Sequence, residues 1–386
     1  MLGEEAGWGP AGRGGIVIVG VPAETKKGEH RVALTPDGVR ELVAHGQRVL
    51  VQAGAGEDSS IHDEEYVSSG AEVVDADAAW AAEVVVKVKE PQPHEHHYLR
   101  PDLTLFTYLH LAGYPEVAKA LLSAETTALA YETVQLADNS LPLLAPMSEV
   151  AGRMAPQIGA HFLEREQGGR GVLLGGSPGV RPARVVVLGA GNVGWNAAWI
   201  AQGMEAEVML LDRNLDRLRW VDQIHKGRIM TLASNRGAVE RAVAEADLVI
   251  GAVLVPGGRA PTLVTEAMVK GMKRGAVIVD VAVDQGGCIE TTHETTHADP
   301  VYEMHGVLHY AVGNVPGAVP HTSTYALTNA TLSYLVELTT FGVRGAVTRD
   351  PALARGVNTV AGRVTNPAVA EALGQEAADP LACLPG

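Results

Sequence analysis

The sequence predicts an α/β protein in two domains, one inserted into the other. Three observations carry this. Strand-like and helix-like runs alternate along most of the 386 residues, the pattern of parallel sheets crossed by helices. A glycine fingerprint, RVVVLGAGNVG at Arg184 to Gly194, opens about 185 residues into the chain, so that a whole domain precedes it. Roughly 65 residues follow the fingerprint domain, too few for a core of their own, so they are expected to return to the first domain.

The elements follow in order. Residues 1–15 read as a flexible extension with neither the cationic start nor the apolar run of a signal peptide. Ile16–Val21 is the first strand. Thr35 and Pro36 open a helix as N-cap and N1, and Gly46 can end it. Strands are expected at Arg48–Gln52, Glu83–Val88, Leu103–Leu109 and Thr126–Tyr131, with a helix at Pro115–Ala124. A long helix kinked at Pro156 should run from Ser148 to Glu166. After the fingerprint strand and its helix come Glu207–Leu211, a helix, Leu248–Val253, a helix at Thr262–Met272 and Ala276–Val283. Ser323–Thr340 is the last long helix. The resulting division is 16–145 with 320–386 as a substrate domain, and 146–319 as a Rossmann-type NAD-binding domain. Substrate is expected in the cleft between them.

Composition limits the partners. A net charge of −15 disfavours nucleic acid and anionic membranes, and no apolar run approaches the length of a bilayer span. Two cysteines, Cys288 and Cys383, give no disulfide framework and fit a reducing, cytoplasmic setting.

The fingerprint points to a dinucleotide. Gly189 allows the tight turn, Gly191 lets backbone approach a pyrophosphate, and Gly194 brings the helix close to the strand. Asn192 and Val193 begin a helix whose N-terminal N–H groups favour phosphate. Asp212 ends the next strand, where a carboxylate binds both ribose hydroxyls of NAD and repels the 2′-phosphate of NADP.

Other segments offer chemistry. Arg31, in the polar loop ETKKGEHR, suits bidentate capture of a carboxylate, although a loop arginine is usually solvated. Lys87 and Lys89 alternate in VVVKVKEP and should share one strand face, as ligand anchors or as structural ion pairs. His110 ends LTLFTYLHL, a place for acid–base work or for a satisfied core histidine. Asp284 follows the strand AVIVDVAV beside two glycines, whereas Asp280 lies further back in a structural position. The string His293-Glu-Thr-Thr-His297 matches a zinc-peptidase motif, but its surroundings predict a solvated loop instead of the required helix. His94-Glu-His-His97 is expected to begin an exposed helix. No metal site is expected.

Taken together, these segments resemble the alanine dehydrogenase family, which is related to the NAD(H)-binding subunit of proton-pumping transhydrogenase. The resemblance runs from about Ile16 to about Gly356. It rests on PAETKKGEHRVALTP, QAGAG, VKVKEP, FTYLHL, AYETVQ, LPLLAPMSEVAGR, QGGRGVLLGG, GAGNVG, GAVLVPG, VDVAVDQGGCIE, GNVPGAVPHTSTYALTNAT and DPALA. It implies reversible oxidative deamination of L-alanine to pyruvate and ammonia with NAD, in a cytoplasmic homohexamer. By the same resemblance Arg31 and Lys89 anchor the substrate carboxylate, Lys87 supports them, and His110 and Asp284 form the catalytic pair. Cofactor contacts are implied for Ser148, Gly189, Gly191, Asn192, Val193, Gly194, Asp212, Arg217, Ser234, Val253, Leu254, Val281, Ala282, Val283, Val312, Gly313, Asn314 and Val315. Some relatives hold a divalent metal on the last long helix; here Glu337 matches one ligand, but Phe341 replaces the histidine one turn on. A saccharopine-type amino-acid dehydrogenase and a non-enzymatic NAD(H)-binding module are the alternative readings.

Overall fold

The computed structural model describes residues 15–253, 260–283 and 286–385. The chain forms two compact units, Met1–Pro146 with Val319–Gly386, and Met147–Ala318.

The first unit begins with β1 (Ile18–Val21), α1 (Pro36–Ala44), β2 (Arg48–Gln52), α2 (Asp63–Ser68), β3 (Glu72–Val74), α3 (Ala76–Trp80), β4 (Val84–Val86), β5 (Thr104–Thr107), α4 (Pro115–Ser123) and β6 (Thr127–Ala130). α1 starts where the sequence places it: the Thr35 hydroxyl accepts from the Gly38 N–H, and Pro36 sits in the first turn. α5 (Ala145–Phe162) leads into the second unit. There follow β7 (Arg184–Leu188), α6 (Asn192–Gly203), β8 (Glu207–Asp212), α7 (Leu215–His225), β9 (Met230–Ala233), α8 (Arg236–Glu245), β10 (Leu248–Gly251), α9 (Glu266–Lys270), β11 (Val277–Asp280), β12 (Val301–Met304) and β13 (Val307–Tyr310). The first unit resumes with α10 (Pro320–Arg349), α11 (Pro351–Gly356), β14 (Val357–Val360), β15 (Arg363–Val364), α12 (Pro367–Ala372) and α13 (Pro380–Cys383).

Both sheets are wound alike. The first has the order β15-β14-β6-β5-β4-β1-β2-β3, and the second β12-β13-β11-β10-β7-β8-β9. In each, the first six parallel strands take the doubly wound order 3-2-1-4-5-6, which reverses direction beside its first strand. Antiparallel strands extend one edge: β14 and β15 beyond β6, and β12 beyond β13. The crevices open at the β1/β4 and β7/β10 boundaries, outside the strands' C-terminal ends, where such sheets bind ligands. Side chains such as Val85, Leu105 and Leu121 fill the core of the first unit. Val185, Leu210 and Ile250 pack one face of the second sheet, and Val186, Val249 and Ile278 the other. α10 is tied into the first unit by Thr324, whose hydroxyl accepts the Val32 N–H at 3.1 Å and meets Ser59 at 2.9 Å.

Several elements differ from expectation. α5 runs unbroken through Pro156 and ends at Phe162, before Glu166. The helix expected at Thr262–Met272 is confined to Glu266–Lys270, because Val264 pairs with Ile289 and Thr265 then caps the helix. α10 reaches Arg349 across a break at Gly342 (φ 67°, ψ 167°). The elements β3, α2, α3, β9, α8, β12, β13 and those after α10 were not foreseen; β3 and β9 contain no buried residue and so carry little periodic signal. The extension at 1–14, and with it most of residues 1–15, lies outside the described residues.

Candidate active site

The β1/β4 crevice of the first unit collects the charged residues singled out above. Lys87 and Lys89 both follow β4, but they do not share an environment. Lys87 is fully buried, with its ammonium 3.2 Å from both Glu24 and Glu95 and 5.5 Å above the Trp80 ring. Burial opposes its charge, yet Glu24 and Glu95 raise its pKa overall. Lys87 is therefore a structural ion pair. Glu95 belongs to the HEHH segment, which forms a 3₁₀ helix at Pro93–Tyr98 whose acid points inward, not a wholly exposed helix.

Lys89 is half-buried, and no described residue forms a salt bridge or hydrogen bond with its ammonium. Burial lowers its pKa, and the positive charge of Arg31 lowers it further. Arg31 is 2% exposed and bound edge-on by Glu29, with Nε–Oε1 and Nη2–Oε2 both at 2.6 Å. Burial would raise Glu29, but the hydrogen bonds and charge of Arg31, with help from Lys89, hold its carboxyl down at about 2. The pocket thus holds the ion pair Glu29–Arg31 and, beside it, an ammonium that forms no salt bridge among the described residues.

His110 follows β5 in a left-handed conformation (φ 48°). Its ring stacks on Tyr108 at 5.7 Å and 4° between planes. The Tyr108 hydroxyl donates to the Leu143 carbonyl at 2.6 Å. Glu132, in the turn after β6, accepts the His110 N–H at 2.6 Å. The sequence reading missed Glu29, Glu132, Glu24 and Glu95. The available signal was weak: acids beside basic residues in polar segments usually pair on the surface.

In the second unit the proposed cofactor residues gather at the C-terminal ends of the parallel strands. Gly189 (φ 103°) turns the chain after β7, and a Cβ on Gly194 would overlap the Gly189 carbonyl oxygen. Gly191 differs: among the described residues a Cβ there would meet only Arg217 Nη1, at 3.6 Å. It caps α6 beside open space, so the loop fits a pyrophosphate approached by backbone. Asn192 and Val193 form the first turn of α6. Asp212 Oδ2 accepts from the Ala190 N–H at 2.6 Å, and Oδ1 accepts from the Asn214 N–H at 2.7 Å. Its remaining lone pairs suit ribose hydroxyls. Ser234 donates its N–H to the Asp212 carbonyl at 2.9 Å. Ser148 lies half-buried on α5. Val253 follows β10, Val281, Ala282 and Val283 follow β11, and Val312, Gly313, Asn314 and Val315 follow β13. Leu254 and Asp284 lie outside the described residues.

Asp280 is structural in its contacts: buried at the end of β11, it accepts from the N–H groups of Ala282 and Cys288 and from the Thr292 hydroxyl. Desolvation raises its pKa against those hydrogen bonds. The HETTH string is not helical: Thr295 bridges to Val312, Thr296 bridges to Asp299, and His293 stacks on Tyr302 at 3.9 Å. Glu337 pairs with Arg349 at 3.6 Å, and that guanidinium covers the Phe341 ring at 4.1 Å.

Comparison with known proteins decides the family. Residues 20–151 match the alanine dehydrogenase/PNT N-terminal domain, and residues 155–367 match the alanine dehydrogenase/PNT C-terminal domain. The chain belongs to the alanine dehydrogenase/PNT family. Among its curated relatives, alanine dehydrogenase of Bacillus subtilis (strain 168) is 56% identical over 362 residues, covering 93% of this chain and 96% of the relative. Alanine dehydrogenase of Mycobacterium tuberculosis (strain ATCC 25618 / H37Rv) is 54% identical over 368 residues, or 95% and 99% of the two chains. A solved L-alanine dehydrogenase superposes with a TM-score of 0.91 at 52% identity, covering 92% of this chain and 99% of its own. A transhydrogenase from Sinorhizobium meliloti gives a TM-score of 0.79 at 28% identity, covering 91% and 99%. Within this family the chain is therefore far more similar to the dehydrogenases than to that transhydrogenase. Among the described residues, no helix is long and apolar enough to cross a membrane.

Proposed function

We propose that this chain catalyses the reversible NAD-dependent oxidative deamination of L-alanine to pyruvate and ammonia. What carries the reading is identity above one half, over more than nine-tenths of the chain, to curated alanine dehydrogenases. The β1/β4 crevice supports it from the chemistry side, since a half-buried ammonium beside a buried guanidinium calls for a small carboxylate.

Lys89 and Arg31 hold the substrate carboxylate and fix Cα in one orientation, which supplies much of the rate. Glu29 grips the Nε–Nη2 edge of Arg31 and fixes the plane of its guanidinium, and Lys89 supplies a second positive charge beside it. The fingerprint loop and Asp212 would hold NAD, which would supply the acceptor for the hydride that leaves Cα. His110 accepts and returns protons as the imine hydrates and the carbinolamine collapses. Asp284 positions the amine and the attacking water. The assembly is a cytoplasmic homohexamer.

The decisive assay is NADH oxidation with ammonia and a panel of 2-oxo acids, repeated with NADPH. Pyruvate with NADH should give the highest kcat/KM. Preference for a larger 2-oxo acid would favour a saccharopine-type enzyme. Cofactor binding without turnover on any 2-oxo acid would favour a binding module.

A further inference from the structure

We propose that Lys26 is a positioning residue for the substrate anchor Lys89: it binds the Glu90 carboxylate and so keeps that acid from pairing with the Lys89 ammonium. The inference rests on the reading of Lys89 as a carboxylate anchor and adds to it the residue that keeps its charge available to a ligand.

Glu90 directly follows Lys89 in the loop that leaves β4. It is 3% exposed, so its charge calls for a partner. That partner is Lys26, in the loop after β1, with Nζ 2.5 Å from Glu90 Oε1. The Gln92 amide reaches the same oxygen at 3.3 Å. Glu90 Oε2 is buried too, and among the described residues it finds no hydrogen-bond donor. One oxygen of the carboxylate is therefore held, and the other could still accept from a cation. Lys26 is itself held in place by Tyr114, in the loop that carries His110. The Tyr114 hydroxyl lies 3.3 Å from the ammonium and the ring centre 4.7 Å from it. Burial opposes the charge on Lys26, yet the hydrogen bond and charge of Glu90 raise its pKa overall, so it remains an ammonium.

The acids around the crevice follow one pattern. Among the described residues Glu24 and Glu95 pair with Lys87, Glu29 with Arg31 and Glu90 with Lys26, and no salt bridge joins any of them to Lys89. Glu90 is nonetheless near enough to act on Lys89. Burial lowers the Lys89 pKa, as do the charges of Arg31 and Lys26, while those of Glu29 and Glu90 raise it. Without Lys26, Glu90 becomes a buried carboxylate with no counter-ion, one residue from that ammonium. A buried charge left unpaired is costly, so pairing the two is favourable. That pair must then open each time a substrate carboxylate binds. Lys26 removes the competition.

The test is steady-state amination of pyruvate with saturating NADH and ammonia. Lys26→Met should raise KM for pyruvate about tenfold, with kcat and KM for NADH within about threefold. Lys26→Arg keeps the charge and should stay near wild type. The deciding variant is Lys26→Met with Glu90→Gln: removing the acid as well should return KM for pyruvate to within about threefold of wild type. A structural brace predicts no such rescue, because the double variant loses both sides of the contact. If Lys26→Met does not fold, Lys26→Gln, which keeps an N–H donor without the charge, takes its place with the same expected outcomes. The inference is wrong if the single variant keeps the wild-type KM for pyruvate, or if the double variant stays as impaired as the single one. Lys89→Ala is the control: a wild-type KM for pyruvate there would mean that the anchor reading itself fails.

Discussion

Lys87 and Lys89 stand two residues apart, yet among the described residues only Lys87 ends in ion pairs. Period-2 reasoning placed them on one strand face, but β4 stops at Val86 and the chain leaves the sheet before either lysine. The strand bounds therefore send the two ammonium groups into different surroundings. Arg31, Lys89 and His110 could be singled out in sequence because they sit in family motifs, and the structure places them after β1, β4 and β5. The acids that organise them could not, because a glutamate bound by a buried arginine looks in sequence like any solvated loop glutamate. Lys89→Ala should raise KM for pyruvate at least tenfold while kcat changes less, as expected for a ground-state anchor. Steady-state kinetics with saturating NADH and ammonia measure this, and a loss confined to kcat would instead place Lys89 in the chemical step.

At the scale of elements, the fingerprint turn and the strand after it could be read almost to the residue. Gly189, Gly191 and Gly194 each meet a different steric demand, and the demand at Gly191 is open space. The sequence singles out Asp212 as a candidate ribose ligand, but its contact with the glycine loop was not foreseen. It accepts the Ala190 N–H within the glycine loop itself, so loop and acid form one hydrogen-bonded unit. Such a contact between neighbouring strand ends has no local sequence signature. The short elements β3 and β9 escaped for a related reason: they complete sheet edges and expose as much as they cover. Asp212→Ala therefore removes a ribose ligand and loosens the pyrophosphate loop together. NADH affinity, followed by fluorescence titration, should fall by more than tenfold while KM for pyruvate stays within about threefold. Equal losses in both would mean that the acid does not serve the cofactor.

Over the whole molecule, the two units carry buried titrating groups with different acid limits. In the second unit His309 is wholly buried on β13, where its Nδ1–H donates to the Val307 carbonyl at 3.0 Å and Nε2 meets the Thr291 hydroxyl at 2.8 Å. Burial pushes it down from 6.5 to about 4. A depressed histidine binds its proton more readily when unfolded. Its stabilising contribution is thus present above pH 6.5 and is lost as pH falls toward 4. In the first unit Glu29 is held at about 2 instead of its ordinary 4.5. Its contribution is present above pH 4.5 and is lost as pH falls through 2. Asp280, raised by burial, works the opposite way in the second unit, so each group must be isolated by substitution. His309→Gln should be less stable than wild type at pH 7, and the gap should shrink by about 2 kcal/mol at pH 5. Urea unfolding followed by the emission of Trp195, Trp199 and Trp220 reports this in the second unit, and an unchanged gap would mean that His309 already carries a proton in the fold. Glu29→Gln should leave that window unaltered, while its own gap to wild type narrows between pH 5 and pH 3, because the buried carboxylate resists protonation only as long as Arg31 stays bound to it.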